Sequence, residues 1–590
     1  MLGSAQDGPD QTGSRGRGSS AEPERRGLRL SSRSATAGGG GRGAPAAGGG
    51  GRRWLPGRGA SADGGGGRGA SADGDRRWLP SGPAGGPGDT LPRWIVLALL
   101  IGAVAGLGAV ALYELVHWGT EWLLGDIGGY RPYGTTAKGV LEHSHSSSRP
   151  WAVPLVAGAG ALLASVLVVR FAPEASGHGT DAAIEAAHHR PLSMRAQVPF
   201  VKLVASALTI GAGGSGGTEG PAAQISASFG SIIARRARLT PGQARTAVVI
   251  GLAAGVGAVF RAPLGGALLG AELLYRRDAD PAVLPKALLA SAAGFVTFGA
   301  CLGFGTFFGP HAVTSFGGLR GFLPLALVGL LAGAAGRLYA FCFYWVHEHV
   351  EPVARTTVRR LLFPTVGALM VGGLGLLVPG VLGTGYGLMQ ALTQRQVLLD
   401  LSPWVLVAVP LAKIVATSVS VGSGGSGGIF GPCLVVGAGV GAVVWRLFEP
   451  TGLVPHSPLA CVVVGMAACL GPVARAPLAV LVMAVETVGD ASLLAPGIVG
   501  VLCASVVVGR TTLYRSQVER RGDGPVLDGG ALLEVADGGS AGGPGTPPGA
   551  GGGRVVAAGP IVAAAHSIPA EAPEDVRPPQ QRGTEPEDAR

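Results

Sequence analysis

One carboxylate stands out by its surroundings. Glu219 lies near the end of residues 211–221, which read G-A-G-G-S-G-G-T-E-G-P between two apolar runs, 198–210 and 222–234. Neither run is long enough to cross a hydrocarbon core of about 30 Å at about 1.5 Å per residue. The Gly-rich piece therefore reads as a break in a membrane helix. A half-helix restarting near residues 219–221 would aim its unsatisfied N–H groups into the break. That is the construction of an anion site at membrane depth. A carboxylate at such a point is either a liability or a gate.

The elements around this stretch read as membrane segments. The chain has 590 residues, 47% hydrophobic and 14% charged, with a mean hydropathy of +0.40. A soluble protein of this length is excluded by that balance. The net charge of +10 is spread over tail and loops. It reads as a cytoplasmic, positive-inside bias and not as a nucleic-acid surface. Cys301, Cys342, Cys433, Cys461, Cys469 and Cys503 all lie in apolar segments without metal-ligand spacing, so they read as small buried packing residues. Spans are predicted at 94–118 and 151–171, separated by a polar loop holding His143 and His145. Shorter apolar pieces follow at 198–210, 219–235, 245–260, 263–275, 285–308, 323–346, 361–378, 404–421, 429–448, 458–471, 476–488 and 493–510. Many are half-spanning, as broken helices are. Residues 1–92 are rich in Gly, Ala, Ser, Pro and Arg and contain a crude duplication, Arg-Gly-Ala-Ser-Ala-Asp from Arg58 and again from Arg68. They are expected to be disordered, as are residues 517–590. The first tail has no hydrophobic region of the signal-peptide kind.

The second half repeats the first. Residues 202–221 read K-L-V-A-S-A-L-T-I-G-A-G-G-S-G-G-T-E-G-P, and residues 413–432 read K-I-V-A-T-S-V-S-V-G-S-G-G-S-G-G-I-F-G-P, a constant offset of 211. Residues 259–272 and 473–486 share V-x-R-A-P-L and a closing Glu at an offset of 214. A weaker pair sets Gly177-His178-Gly179 against Gly383-Thr384-Gly385. Two copies with breaks in corresponding places point to a transporter-type repeat and to a site where the breaks meet.

These stretches resemble the CLC family of chloride channels and chloride/proton antiporters. Gly217-Thr218-Glu219-Gly220-Pro221 resembles the family's G-R-E-G-P, and Gly428-Ile429-Phe430-Gly431-Pro432 its G-x-F-x-P. Gly177-His178-Gly179-Thr180-Asp181 resembles G-S-G-I-P, and Tyr514 the late Tyr. The resemblance covers residues 93–516 in the right order. It implies an all-α integral membrane fold of CLC-type inverted repeats, the first at 93–310 and the second at 320–516, and a homodimer with one anion pathway per subunit. Glu219 is then the gate, and the anion contacts are His178, Gly179, Gly217, Gly220, Ile429, Phe430 and Tyr514. The implied ligand is chloride or a similar small anion, with protons as a second candidate, in the lipid bilayer of the plasma membrane with both tails cytoplasmic. Neither a cofactor nor a metal is expected, and the tail after Tyr514 lacks the strand–helix alternation of a regulatory module. Physics supports the assignment. Helix N-termini bind an anion without a full fixed charge, so the ion also leaves. An ionised Glu219 can fill an anion position itself, and protonation or displacement clears it.

Four departures from the family pattern bear on mechanism. His178 replaces the motif Ser; it either donates to the ion, with pH dependence once protonated, or turns toward an aqueous vestibule. Thr218 replaces the motif Arg and removes a positive charge beside the gate. Lys202 either compensates as a mid-membrane cation or is satisfied by carbonyls at helix ends. Asp181 replaces the motif Pro and reads as a cap of the helix that follows. Finally, Leu273 stands where antiporters of the family carry the inner proton-accepting Glu. The neighbouring Glu272 has a repeat-mate in Glu486, which marks both as structural helix-end acids. Leu273 tilts the expectation toward a passive channel, with a chloride/proton antiporter as the alternative and a non-transporting sensor or scaffold below both. The G-x-G-x-x-G look of residues 211–216 lacks any βαβ context and does not indicate a dinucleotide site. His188 and His189 read as loop residues. His347 and His349, beside Glu348 and Glu351, read as polar capping at a span's end in preference to a metal site. No nucleophile–base set suggests an enzyme.

Overall fold

The computed structural model describes residues 90–135, 141–142, 147–308 and 319–523. His143, His145 and most of both tails lie outside the described residues. The first half holds α1 (Leu91–Gly119), α2 (Ala152–Phe171), α3 (Thr180–His189), α4 (Val198–Gly211), α5 (Glu219–Arg236), α6 (Pro241–Phe260), α7 (Pro263–Glu272) and α8 (Leu284–Leu302). The second holds α9 (Phe322–Val350), α10 (Thr357–Leu377), α11 (Tyr386–Ala391), α12 (Arg395–Asp400), α13 (Pro403–Gly422), α14 (Phe430–Phe448), α15 (Leu459–Ala474), α16 (Pro477–Val488) and α17 (Leu494–Val508). Apart from helices, the described residues include a two-stranded hairpin pairing Gly134–Thr135 with Leu141–Glu142. Nine helices among the described residues are long and apolar enough to cross a membrane, whereas α4, α15 and α16 are apolar but shorter.

The halves match element for element, with α12 as an addition. α1 packs on α6 and α8 as α9 packs on α15 and α17. Small residues make both contacts close, Gly102 and Gly106 against Ala290 and Gly294, and Gly329 and Gly333 against Gly500 and Ala504. Close backbone approach of this kind replaces the hydrophobic drive that lipid cannot supply. The halves meet where α2 lies on α10 and α7 on α16. The closing acids show the relative direction of the last pair. Glu272, at the end of α7, accepts from Ala479 N at 3.0 Å near the start of α16. Glu486, near the end of α16, accepts from Leu264 N at 3.1 Å and Gly265 N at 2.7 Å at the start of α7. Equivalent helices therefore run antiparallel, each acid occupying the other's positive end, so one half is turned over relative to the other.

Several local expectations change. α1 begins at Leu91, inside the stretch expected to be disordered, because Thr90 and Pro92 set a helix start. The ordered chain also runs past Ser516, since Gln517 Nε2 donates to Leu273 O at 2.8 Å and Ala474 O at 2.9 Å. His188 and His189 belong to α3 and not to a loop, and His188 is fully buried with Nε2 3.0 Å from Leu274 O. Of the six cysteines, Cys433, Cys461 and Cys469 are buried, but Cys301 is exposed and Cys342 and Cys503 half-buried. The exposed thiol lies at the end of α8, beyond the packed face.

Candidate functional site

The two Gly-rich breaks are pinned to each other. Gly217 N donates to Gly428 O at 2.8 Å and Gly428 N returns to Gly217 O at 2.7 Å, between residues 211 apart in the chain. Gly216 N reaches Gly383 O at 3.3 Å, and its mate Gly427 N reaches Gly177 O at 3.4 Å. Hydroxyls repeat the pattern, Ser206 with Ser426 at 3.0 Å and Ser215 with Thr417 at 2.8 Å. Interrupted backbone survives at membrane depth because the polar groups of one half satisfy those of the other.

Two buried lysines hold the turns that flank these breaks. Lys202 Nζ donates to Ala175 O at 3.0 Å and Gly177 O at 2.6 Å. Its mate Lys413 donates to Val381 O and Gly383 O, both at 2.9 Å. Of the two readings of Lys202, the geometry matches satisfaction by carbonyls. Each lysine stem lies under a glycine of positive φ, Gly179 at +84° and Gly385 at +81°, where an added Cβ would sit 3.1 Å from Lys202 Cε and 3.3 Å from Lys413 Nζ. Only glycine suits that backbone and that space. The two turns lead into α3 and α11.

Glu219 opens α5 and is 1% exposed. Its Oε2 accepts from Gly431 N, in the first turn of α14, at 3.1 Å. Its Oε1 accepts a hydrogen bond from the hydroxyl of Tyr386, the first residue of α11. The carboxylate of the first half therefore rests on a helix N-terminus of the second, where the dipole and free N–H groups favour an anion. An added Cβ at Gly217 would lie 2.4 Å from Glu219 Oε2, and one at Gly431 2.8 Å from it. Ile429 and Phe430 form the turn into α14. Tyr339 donates to Ile429 O at 2.9 Å, and the Phe430 ring packs 5.6 Å from that of Phe260.

Gly220 brings the start of α5 against the turn before α3, where an added Cβ would lie 2.1 Å from His178 O. The His178 ring lies 5.9 Å from that of Tyr514 and 5.7 Å from that of Phe343. Its Nδ1 is buried without a hydrogen-bond partner among the described residues. Tyr514 is fully buried on a segment held from several sides. Tyr344 donates to Leu513 O at 2.8 Å, Leu513 N to Val473 O at 2.7 Å, and Ser516 N to Asp181 Oδ1 at 2.9 Å. Asp181 lies in the first turn of α3, and its carboxylate also ties that helix start to the Tyr514 segment through Ser516 N. Leu273 is fully buried. His347 sits 4.0 Å from Glu351 one turn on, and His349 Nδ1 lies 2.7 Å from Trp345 O. No group of three His, Cys, Asp or Glu able to hold a metal occurs among the described residues.

Tyr386 is the site residue that sequence reading missed. The signal was the weak pairing of Gly177-His178-Gly179 with Gly383-Thr384-Gly385; one residue further, Tyr386 is the mate of Thr180. Its hydroxyl also lies 3.4 Å from Thr218 N and from Thr218 Oγ1. Beyond it opens a cavity of about 130 Å³ lined by Tyr386, Thr218, Phe307, His117, Tyr133 and others.

Comparison with known proteins agrees with this geometry. The chain is 29% identical over 450 residues to the H(+)/Cl(-) exchange transporter ClcA of Klebsiella pneumoniae, covering 72% of this chain and 88% of that one. It is 27% identical over 444 residues to the voltage-gated ClC-type chloride channel ClcB of Escherichia coli, covering 73% and 98%. Its fold matches the crystal structure of a slow cyanobacterial Cl-/H+ antiporter with a TM-score of 0.59 at 23% identity, over 72% of this chain and 97% of that one. It also matches a CLC-type fluoride/proton antiporter with a TM-score of 0.61 at 21% identity, over 73% and 98%. The voltage gated chloride channel family matches residues 160–509, more than half of the chain; with the paired breaks, the inverted halves and the carboxylate on a helix N-terminus, the chain belongs to that family of membrane anion transport proteins.

Proposed function

We propose that the protein conducts chloride through a path between the starts of α3, α5 and α14, with Glu219 as its gate and no obligatory proton exchange. The observation that carries the reading is the Glu219 carboxylate on Gly431 N, an anion already seated where a diffusing anion would bind. Ionised, it occludes the path; protonated, it gives up both its charge and its claim on the α14 dipole. His178, with an unpaired buried nitrogen, and Tyr514 line the path on the other side of the gate, together with the backbone of Gly179, Gly217, Gly220, Ile429 and Phe430. Leu273 supports passive flow, because a fully buried alkyl side chain carries no proton. Exposed leucines and valines such as Leu107, Leu155, Leu338 and Val506 suit a bilayer, in which we place a homodimer in the plasma membrane with cytoplasmic tails on the family resemblance alone.

The second reading is a chloride/proton antiporter. It is favoured by the relative named an H(+)/Cl(-) exchange transporter and by a titratable gate. Paired chloride and proton fluxes in proteoliposomes separate the two. The expected outcome is chloride efflux without uphill proton movement. Protons driven against their gradient by chloride establish exchange, and absence of any anion flux leaves a sensor or scaffold.

A further inference from the structure

We infer that Tyr386 is a latch that holds the Glu219 carboxylate in its closed position and so sets how readily the path opens. The inference rests on the reading of Glu219 as a gate and adds a residue to it. Tyr386 reaches the carboxylate from α11, an element of the opposite half, 167 residues away. Its hydroxyl donates its single proton to Glu219 Oε1 while Gly431 N holds Oε2, so the carboxylate is gripped at both oxygens. The ring is itself held. It packs edge-on to Phe307 at 5.3 Å, and the glycine before it is fixed over Lys413, whose ammonium is committed to Val381 O and Gly383 O. An added Cβ at Gly431 would lie 2.4 Å from the Tyr386 hydroxyl. The hydroxyl therefore occupies a space that the α14 backbone leaves for it.

The direction of the effect follows from hydrogen-bond chemistry. A hydroxyl donating to a carboxylate makes a charge-assisted bond about twice as strong as one to a neutral acceptor. Tyr386 thus favours the ionised, occluding form of Glu219 over the protonated, displaced form. Tyr386 also lines a cavity of about 130 Å³ beside the gate, so a carboxylate that leaves its seat on Gly431 N and moves away from Tyr386 gives up this bond as well. The other titratable groups around the gate are Tyr514 and His178 on the far side, and His117, Tyr113 and Tyr133 on the cavity side. Lys202 and Lys413 lie under the flanking glycines Gly179 and Gly385, and the double variant with E219Q separates their titration from that of the gate.

Tyr386→Phe keeps the ring against Phe307 and deletes only the donor. The test is chloride efflux from proteoliposomes as a function of pH, for the unaltered protein, Y386F, E219Q and the double variant. Each is first shown to be monodisperse in detergent. The expected result is that Y386F moves the midpoint of acid-activated efflux upward by about one pH unit, a tenfold easier protonation, and raises efflux at neutral pH several-fold. In the E219Q background the same change leaves efflux and its pH profile unaltered, because the latch has no carboxylate to hold. A Y386F profile identical to that of the unaltered protein overturns the latch, as does a Y386F effect of equal size in the E219Q background. If E219Q leaves a pH-dependent efflux unchanged, the gate reading itself fails and the latch with it, an outcome distinct from a silent Y386F.

Discussion

At the scale of single residues, the proposed path turns on one helix N-terminus. The Glu219 carboxylate rests on that terminus through Gly431 N, and the room for it exists because Gly217 and Gly431 have no Cβ. Gly431→Ala is expected to push both the carboxylate and the Tyr386 hydroxyl off the α14 terminus. Efflux at neutral pH should then rise several-fold and its pH profile flatten toward that of E219Q. A variant with the unaltered pH profile would show that the carboxylate lies elsewhere in the conducting protein. Lys202 raises the question of attraction against support. In Lys202→Met the carbonyls it serves, Ala175 O and Gly177 O, would keep only the longer bonds from Ser426 Oγ at 3.3 Å and Gly427 N at 3.4 Å, a loss of about 0.5–1.5 kcal/mol per hydrogen bond. Lower thermal stability is expected, by a similar amount in Lys413→Met, with anion selectivity retained. A large loss of flux at unchanged melting temperature would make Lys202 an attracting charge instead. Glu219 was legible because an acid between apolar runs is costly and stands out. Tyr386 was not, since a lone Tyr after a Gly-rich turn looks the same whether it faces lipid, core or gate.

At the scale of elements, the short helices do as much as the spans. α7 and α16 are antiparallel mates, and each ends in an acid that satisfies the other's first turn. Loss of such a cap costs about 0.5–2 kcal/mol. Glu486→Ala and Glu272→Ala are therefore expected to lower the melting temperature in detergent by comparable amounts and to leave the outcome of the paired chloride and proton flux measurement unchanged. A change in coupling without a change in stability would place Glu272 on a proton route. Most helix boundaries were readable within a few residues, because Gly and Pro punctuate the apolar runs and membrane helices must close their own hydrogen bonds. The exceptions are α3, α11 and α12, whose 6 to 10 residues carry too little periodicity to register. α3 and α11 are the two that present His178 and Tyr386 to the site. Asp181 shows the same limit. Its place at a helix start suggested a cap, but its partner, Ser516, lies 335 residues further along the chain.

At the scale of the whole molecule, two halves turned over on each other bring four backbone interruptions to one place. Only the first half carries an acid there, since Ile429 and Phe430 stand where the other half has Thr218 and Glu219. The paired flux measurement belongs to this scale, because coupling is a property of a whole path and not of one buried residue such as Leu273. The membrane class, the helix breaks, the repeat and the place of an acid in the first break were set by the sequence alone. They rest on composition, on local punctuation and on the chain's likeness to itself, none of which requires knowing what touches what. The partners of Glu219 were decided by the tertiary structure. The grip of Tyr386 and Gly431 on Glu219 spans 167 and 212 residues and exists only once the halves are inverted and their breaks hydrogen-bonded. Long-range pairing across a pseudo-two-fold axis leaves no trace in local spacing, because each partner satisfies its own helix first and meets the other only where the two halves close.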